Sequence, residues 1–315
     1  MKTTITIIEI ILILLLSILS FNAIAEESNI IYVDDDGTTN YTGIQDAIDN
    51  ANDGDTIFVY NGLYHETIII DKSVHLIGEN KHNTIINGTG IQSGYVITVD
   101  SPGVFLEGFS IIDLDNEWGD ETAAISVRSN DNTIQNNIII TNIRYGIQLH
   151  SRVRNNSIIK NFVTALDTGL RLQFTCYNYI FGNHLVGGKG YHDDNFVQYT
   201  GINADYSYWN NITSNHIAGN GIGVNMWLSS FNMFYKNNFI NSVPMFTIGN
   251  ISIITSSSNV FYYPRICPNQ WKNNYWDHYL GILPFTFIQK HIVSFPLDWL
   301  RVDWHPAKEP YDITI

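Results

Sequence analysis

Hydrophobic and polar positions along residues 130–240 repeat in a pattern that lacks the 3.6-residue period of a helix. The motif Asn-x-apolar-x-x-Asn returns five times, and strand-forming residues lie between its asparagines. Such self-similarity predicts a solenoid, in which each repeat buries its apolar face against its neighbours. The copies begin at Asn132, Asn156, Asn178, Asn210 and Asn232, at steps of 24, 22, 32 and 22 residues.

A second motif, Gly-Ile-x-Leu or a close variant, accompanies the first. Its two apolar residues lie two apart and therefore face the same side of a strand. With the other apolar positions they predict three short strands per coil, and hence an all-β, single-stranded parallel β-helix of about eight coils. The inward rows are Ile125/Val127, Ile147/Leu149, Leu170/Leu172, Ile202/Ala204 and Val224/Met226; then Ile134, Ile158, Ile180, Ile212 and Phe234; then Ile139, Val163, Leu185, Ile217 and Phe239.

The asparagines are predicted to be structural. Asparagine tolerates positive φ and satisfies nearby backbone groups, and repeated amides can hydrogen-bond along a stack as they do in cross-β ladders. We expect one column to line a single corner, with its amides directed at neighbouring coils: Asn137, Asn161, Asn183, Asn215 and Asn237.

Both ends of such a stack need covers, because open strand edges pair with other chains. Apolar residues recur at helical spacing in residues 42–52, which predicts a capping helix with Thr42 as its N-cap. Residues 260–315 lose the repeat and are rich in aromatics and prolines, which predicts an irregular C-terminal cap. The β-helix domain with its N-terminal cap then spans residues 26–259.

Residues 1–25 have the pattern of a secretory signal peptide. Lys2 precedes an apolar run, and Ala23 and Ala25 suit a small-residue cleavage site. An uncleaved membrane anchor is the alternative. We expect a mature chain that starts at Glu26, does not insert into a membrane, and is secreted, at the cell surface or in a periplasm-type space.

The net charge of −14 and the pI near 4.9 argue against nucleic acid and anionic membranes as partners, since both require clustered Lys and Arg. Only two cysteines occur, so no disulfide framework is expected. Cys176 and Cys267 either pair or are buried separately. Glycosylation sequons begin at Asn40, Asn87, Asn155, Asn211 and Asn250.

The segment AIDNANDGDTIFVYNGLYHETIIIDKSVHLIGEN, residues 47–80, resembles the opening coils of NosD-like proteins. These are secreted right-handed parallel β-helices of the pectate-lyase fold superfamily, often described as carbohydrate-binding and sugar-hydrolase domains. The resemblance covers about residues 30–245, and the tail with NNYWDHY resembles the endings of archaeal surface β-helix proteins. It implies a right-handed pectin-lyase-like β-helix, as the handedness of parallel crossovers also does. It implies little about chemistry, because the family is functionally mixed.

Two insertions interrupt the repeat at the same corner, just before the Gly-Ile-x-Leu strand. They lie at residues 113–122 and 187–199, and insertions on a solenoid often decorate its binding face. Both combine acids with aromatics: Asp115, Glu117, Trp118 and Asp120 in the first, and Tyr191, His192, Asp193 and Asp194 in the second.

The outward positions of the adjoining strands predict a polysaccharide groove. Aromatic faces pack against sugar rings, and Arg and His can hold uronate or sulfate groups. The expected floor is Arg128, His150, Arg171, Asp205 and Trp227, flanked by Trp118 and Tyr191. Solvated polar residues without a specific role are the plain alternative for this face.

Any enzyme activity would be that of a polysaccharide lyase or a glycoside hydrolase, with His150, Arg171, Asp205 and Asp194 as the candidate catalytic groups. No sequence signature of polygalacturonases or pectate lyases accompanies them. Asp193 and Asp194 are candidate Ca²⁺ ligands, as the resemblance to the pectate-lyase group suggests. No other cofactor is expected.

Two further hypotheses remain open. A stiff, acidic, secreted rod suits a non-catalytic structural or adhesive protein of the cell envelope. The NosD resemblance also implies an accessory role in copper handling, although four methionines and ten histidines are scattered without ligand spacing.

Overall fold

The computed structural model describes residues 28–91, 94–115, 122–187, 200–220, 222–240, 246–248, 251–253, 260–263, 270–276, 285–288, 300–303 and 307–314. In this part of the chain, strands follow one another in three parallel sheets, here named sheets 1, 2 and 3 in the order in which each coil visits them. The predicted all-β, right-handed parallel β-helix is thereby confirmed, with one helix among the described residues.

Sheet 1 contains Ile30–Val33, Thr56–Val59, His75–Gly78, Phe105–Glu107, Thr133–Gln135, Ser157–Ile159, Tyr179–Phe181, Asn211–Thr213, Met233–Tyr235 and Gln270–Lys272. Sheet 2 contains Gly62–Tyr64, Thr84–Asn87, Ser110–Asp113, Ile138–Thr141, Phe162–Ala165, His184–Gly187, His216–Ala218, Asn238–Ile240 and Tyr275–Trp276. Sheet 3 contains Ile68–Ile70, Tyr95–Val99, Ala123–Val127, Tyr145–Leu149, Thr168–Gln173, Thr200–Asp205, Ile222–Trp227 and Val260–Tyr263.

The core is formed by the three predicted inward rows. Ile125, Ile147, Leu170, Ile202 and Val224 lie in register along sheet 3, and the predicted rows of sheets 1 and 2 are likewise in register and buried. Burial of these rows removes apolar surface from water in every coil, and each Å² removed stabilises the fold by about 25 cal/mol. The continuous apolar stack therefore holds the coils together.

Buried asparagines line two of the three corners. Asn137, Asn161, Asn183, Asn215 and Asn237 lie between sheets 1 and 2, and the Oδ1 of each from Asn161 onward accepts the backbone N–H of the asparagine one coil earlier. A second column follows the corner between sheets 3 and 1, from Asn132 to Asn232. The predicted structural role is confirmed.

The expectation that these asparagines adopt positive φ is wrong. The left-handed position falls on the preceding residue, for example Lys160 at φ 51° and Ser214 at φ 55°. The next residue can then turn its amide inward to the adjacent coil. Positive φ and the inward amide belong to two neighbouring residues, which the sequence analysis assigned to one. At some corners both residues are asparagines, as in Asn136 and Asn137.

Glycine is required where the later coils enter sheet 3, although Val96 and Ala124 hold the equivalent position in earlier coils. A Cβ on Gly201 would lie 2.4 Å from Cγ2 of Ile217 and 2.7 Å from the carbonyl oxygen of Gly223, and Gly146 is equally crowded by Val163. The glycine of the Gly-Ile-x-Leu motif is therefore fixed by packing.

The N-terminal helix spans Ile44–Asn50 and buries Ile44, Ala47 and Ile48. Thr42 is not its N-cap. Gly43 occupies that position without a side-chain bond, and the carboxylate of Glu66 accepts the N–H groups of Ile44 and Gln45 at 2.8 and 3.0 Å. The carboxylate of Glu66, which is distant in sequence, thus caps the helix in place of the predicted Thr42.

The repeat continues past the predicted boundary at residue 259, because strands within 260–276 add one member to each sheet. Two antiparallel pairs also occur, Phe246–Ile248 with Ile251–Ile253 and Phe285–Ile288 with Leu300–Asp303. The strand additions show that aromatic composition concealed a regular coil. The division into a C-terminal cap stays a prediction.

Residues 307–314 cross the outside of sheet 2. Tyr311 and Asn238 exchange two hydrogen bonds at 2.7 and 2.9 Å, and Nε2–H of His184 donates to the carbonyl of Ile313 at 2.6 Å. The C-terminal segment therefore ties several coils together.

The predicted signal peptide and Cys267 lie outside the described residues, so cleavage and pairing with Cys176 stay predictions. Among the described residues, no helix has the length and hydrophobicity needed to cross a bilayer.

We predict that Asn183→Leu strongly destabilises the fold. Its amide accepts from the backbone and side chain of Asn161 and donates to Ile158 and Asn215. Leaving several of these buried groups unpaired costs about 3–5 kcal/mol in the free energy of unfolding. Urea denaturation measures the loss. Asn211→Leu, on the outer face of sheet 1, is the control and should change stability by less than about 1 kcal/mol; equal effects would contradict the structural role.

We also predict that Gly201→Ala lowers the free energy of unfolding by about 1–3 kcal/mol through overpacking. Gly43→Ala is the matched control, because its added Cβ would meet nothing closer than 3.7 Å. Thermal and urea unfolding of the two variants test this difference, and an unchanged Gly201→Ala protein would show that the coils can relax at this corner.

Candidate functional site

The candidate site is the outer face of sheet 3, where the predicted columns are in register. Ser126, Gln148, Arg171 and Asn203 follow one another along one column, and Asp205 pairs with Trp227 along the next. Adjacent strands in a sheet are about 4.8 Å apart, so polar side chains recur at that interval. In the first column Ser126 and Gln148 are fully buried, and Arg171 and Asn203 are half-buried.

One cluster forms around Arg128 and His150. The guanidinium of Arg128 lies 4.8 Å from the ring centroid of Tyr95 and 4.0 Å from the carboxylate of Asp100. Its Nε–H donates to the hydroxyl of Ser126 at 3.2 Å, and that hydroxyl is 3.0 Å from Nε2 of His150. The structure thus brings together two predicted residues and orients the arginine between an aromatic ring and a carboxylate.

The Ser126–His150 distance resembles that of a nucleophile and its base. Ser126 is fully buried, however, beneath the side chains with which it bonds. A substrate does not reach its hydroxyl in this arrangement, so the serine positions Arg128 and His150.

A second cluster surrounds Tyr145. The guanidinium carbons of Arg171 and Arg144 lie 4.7 and 5.1 Å from its ring centroid, and Arg171 also donates to the Tyr145 hydroxyl. Arg144 in turn pairs with Asp167 at 3.1 Å. Cation–π contact and ion pairing fix both arginines on the sheet surface.

Asp205 lies next to this second cluster. Burial raises the pKa of Asp205 above its usual 3.8, and the positive charge of Arg171 opposes the rise. Close by, Nε of Arg171 and Oδ1 of Asn203 are buried without a hydrogen-bond partner. Such groups are costly unless another polar group satisfies them. Both atoms are inaccessible, as the Ser126 hydroxyl is, so a ligand does not reach them in this arrangement.

The two insertions connect sheet 2 to sheet 3 and lead into Ala123–Val127 and Thr200–Asp205. Their aromatic and acidic residues Glu117, Trp118, Asp120, Tyr191, His192, Asp193 and Asp194 lie outside the described residues, as does the side chain of Trp227. Their roles in sugar binding, catalysis and Ca²⁺ binding stay predictions. Asp115 is described and accepts the N–H of Gly90.

Sequence reasoning missed Tyr95, Tyr145 and Arg144. Tyr95 and Tyr145 both pair with Ala123 and so belong to one column, which precedes the glycine of the motif. The signal was present as an aromatic residue immediately before Gly146. The Gly-Ile-x-Leu motif begins at the glycine and therefore does not include this position.

One group of three acidic residues occurs among the described residues, Asp34, Asp35 and Asp36. Asp34 accepts from Asp36 and Thr38, and Asp35 accepts the N–H of Leu63. These hydrogen bonds account for the acidic group as part of the structure of its loop.

We predict that Arg171→Gln raises the pKa of Asp205 further, because the opposing positive charge is lost. A raised folded-state pKa gives stability that is present below the unfolded pKa, about 3.9, and lost as the pH rises through the folded pKa. The variant should therefore lose more stability between acidic and neutral pH than the natural chain. Carbon-13 NMR titration of the carboxylate measures the pKa. Arg144→Gln, on the same tyrosine ring but paired with Asp167, should leave it unchanged.

Several known proteins are similar to part of this sequence or to its fold. A cell surface glycoprotein of Methanothermus fervidus is 35% identical over 127 residues, which are 40% of this chain and 20% of that protein. The chain therefore spans about a fifth of the relative's length. The enzymatically active domain of tailspike protein 2 of bacteriophage CBA120 matches 73% of this chain and 39% of its own, with 12% identity and a TM-score of 0.51. This similarity shows the fold. A carrot pectin methylesterase matches 66% of this chain and 82% of its own, at 15% identity and a TM-score of 0.45.

The family described as periplasmic copper-binding protein (NosD) matches residues 22–281. Copper prefers imidazole, thiolate and thioether ligands. Among the His, Cys, Asp and Glu side chains of the described residues, the one group of three potential ligands is Asp34–Asp36, and no third such side chain joins the stacked rings of His184 and His216. These residues provide no imidazole or thiolate cluster that would suit copper. The family match covers most of the sequence, and the chain belongs to the NosD family.

Proposed function

We propose that this protein acts outside the cytoplasm, at a cell surface or in a periplasm-type space, and binds polysaccharide along the outer face of sheet 3. The observation that carries the proposal is the pairing of arginines with tyrosine rings at two places on one face, Arg128 with Tyr95 and Arg171 with Tyr145. The family's periplasmic description and the surface location of the Methanothermus relative support the location.

The geometry favours an extended anionic ligand. Arg128 and Arg171 lie two strands apart, so their positions are separated by roughly 10 Å along the solenoid. Guanidinium groups bind carboxylates and sulfates through paired hydrogen bonds, and the half-buried ring of Tyr95 beside Arg128 offers apolar contact to a sugar. The ring of Tyr145 is fully buried and serves to orient Arg171. A chain of acidic sugars presents a carboxylate or sulfate to each of the two guanidinium groups at successive positions.

The test is binding of the secreted chain to immobilised acidic and neutral polysaccharides, followed by calorimetry on those retained. Arg128→Gln should weaken binding of an acidic chain about 10- to 100-fold, because a hydrogen bond to a charged group contributes about 1.5–3 kcal/mol. Arg154→Gln removes an exposed arginine from a different surface and serves as the control. If acidic and neutral polysaccharides all fail to bind, the proposal is wrong and a purely structural role is favoured.

Trp227 extends the same test to the far end of the column. Trp227→Ala should weaken glycan binding by roughly 1–3 kcal/mol if one stacked ring is lost, by analogy with base–aromatic stacking. Its melting temperature should change little. A large fall in melting temperature would instead identify Trp227 as a packing residue. Assays for new reducing or unsaturated ends decide whether the bound chain is also cleaved.

A further inference from the structure

The outer face of sheet 1 carries apolar and aromatic residues towards both of its ends. Tyr32 and Phe58 lie on its first coils, and Tyr179, Phe181 and Met233 lie on its later coils. Tyr32 is 44% exposed, and Tyr179 and Met233 are each 37% exposed. Exposed apolar patches of this kind mark interaction sites.

Aromatic residues continue this surface around the corner between sheets 3 and 1. Tyr177, Trp209 and Phe231 stack on one another at 5.5 and 4.9 Å with nearly parallel rings. All three have positive φ, between 52° and 59°, where bulky residues are strained by about 1–3 kcal/mol. Equivalent positions in earlier coils hold Asp131 and Asn155, which tolerate this backbone better. The aromatics are therefore not what the corner itself requires.

The ring geometry favours a protein partner over a sugar. Trp209 lies between Tyr177 and Phe231, so both of its ring faces are covered and each of the other two rings has one face against it. Sugar binding needs open ring faces, whereas aromatic and arginine-rich surfaces are typical of protein interfaces.

Charge along the solenoid identifies the partner. Residues 26–131 contain 20 Asp and Glu against three Lys and Arg, whereas residues 132–240 contain four against seven. Beside sheet 1, the early coils carry Asp36 and Glu79, and the later coils carry Lys160, Lys236 and Lys272. These three lysines have no carboxylate partner among the described residues. A surface that is acidic at one end and basic at the other is complementary to itself when reversed.

We propose that the outer face of sheet 1 and its aromatic corner form an interface for a second copy of this chain, packed face to face with the solenoid axis reversed. The acidic early coils of each copy then meet the basic later coils of the other, in a two-fold interface. A parallel arrangement would place like charges opposite each other, which is unfavourable.

The available area is sufficient. Ten strands at about 4.8 Å spacing give a face about 43 Å long, and a strand with its corner is about 20 Å wide. The product, about 850 Å² per copy, is close to the roughly 800 Å² per partner of a standard stable interface.

The secreted chain should be a dimer in sedimentation equilibrium at about 1–100 µM, and the dissociation constant should rise with salt as the Debye length falls. Tyr179→Ser combined with Met233→Ser should weaken dimerisation at least about tenfold, because each substitution removes an aromatic or apolar anchor from the interface. Ile140→Ser removes an exposed apolar residue from sheet 2 and should leave the dimer intact. Circular dichroism confirms that each variant is folded.

A charge exchange provides the sharper test. Lys160→Glu with Lys236→Glu makes both ends of the face acidic, and Asp36→Lys with Glu79→Lys makes both ends basic. Neither variant should dimerise alone, but an equimolar mixture should form a heterodimer, which a folding defect cannot produce. A natural chain that stays monomeric overturns the proposal, even if this face binds anionic vesicles or glycans. A dimer that survives both charge variants and the Tyr179/Met233 variant also overturns it.

Discussion

The structure depends on the hydrogen bond between a buried asparagine amide and the backbone of the adjacent coil. Backbone hydrogen bonds between coils continue through the sheets and into the corners, but the N–H of each column asparagine bonds instead to a side chain of the next coil. There the Oδ1 of one asparagine accepts both the backbone N–H and the Nδ2–H of the asparagine one coil earlier, as between Asn161 and Asn137. In the column from Asn137 to Asn237 every amide both donates and accepts, so each coil fixes the register of the next and these buried amides are satisfied.

This constraint also decides where the chain can vary. The two asparagine columns lie five residues apart in every coil, as in Asn132 and Asn137 or Asn210 and Asn215, so the sheet 1 strand between them cannot change length. The corner between sheets 2 and 3 has no such column among the described residues. Extra residues enter there at low cost in loop entropy, which explains why both insertions lead into sheet 3. The candidate ligand face lies beside the corner at which both long insertions enter.

The sequence predicts those features that recur in every coil. The inward rows and the asparagine columns were predictable because period and residue type agree at each step. Tyr95 and Tyr145 were not, since they share a column that holds Ala123 between them, and no single coil shows the pattern. Glu66 at the helix N-terminus was also missed, because it acts across 22 residues where capping rules consider neighbours. Contacts between coils become visible only once the register is known.

Because the coils stack in register, equivalent residues of successive coils form a column along the solenoid. The same translation that aligns the buried amides aligns Arg171 with Asn203 on sheet 3, and Trp209 with Phe231 at the corner. A functional surface in such a fold is assembled from columns, whose members are separated by a whole coil in the chain. A linear motif therefore carries little information about it, and this is the physical reason why family membership establishes the fold of this chain more firmly than its chemistry. Positions at which a column departs from what its corner or strand requires, as the strained aromatics do, are where function is to be sought in this solenoid.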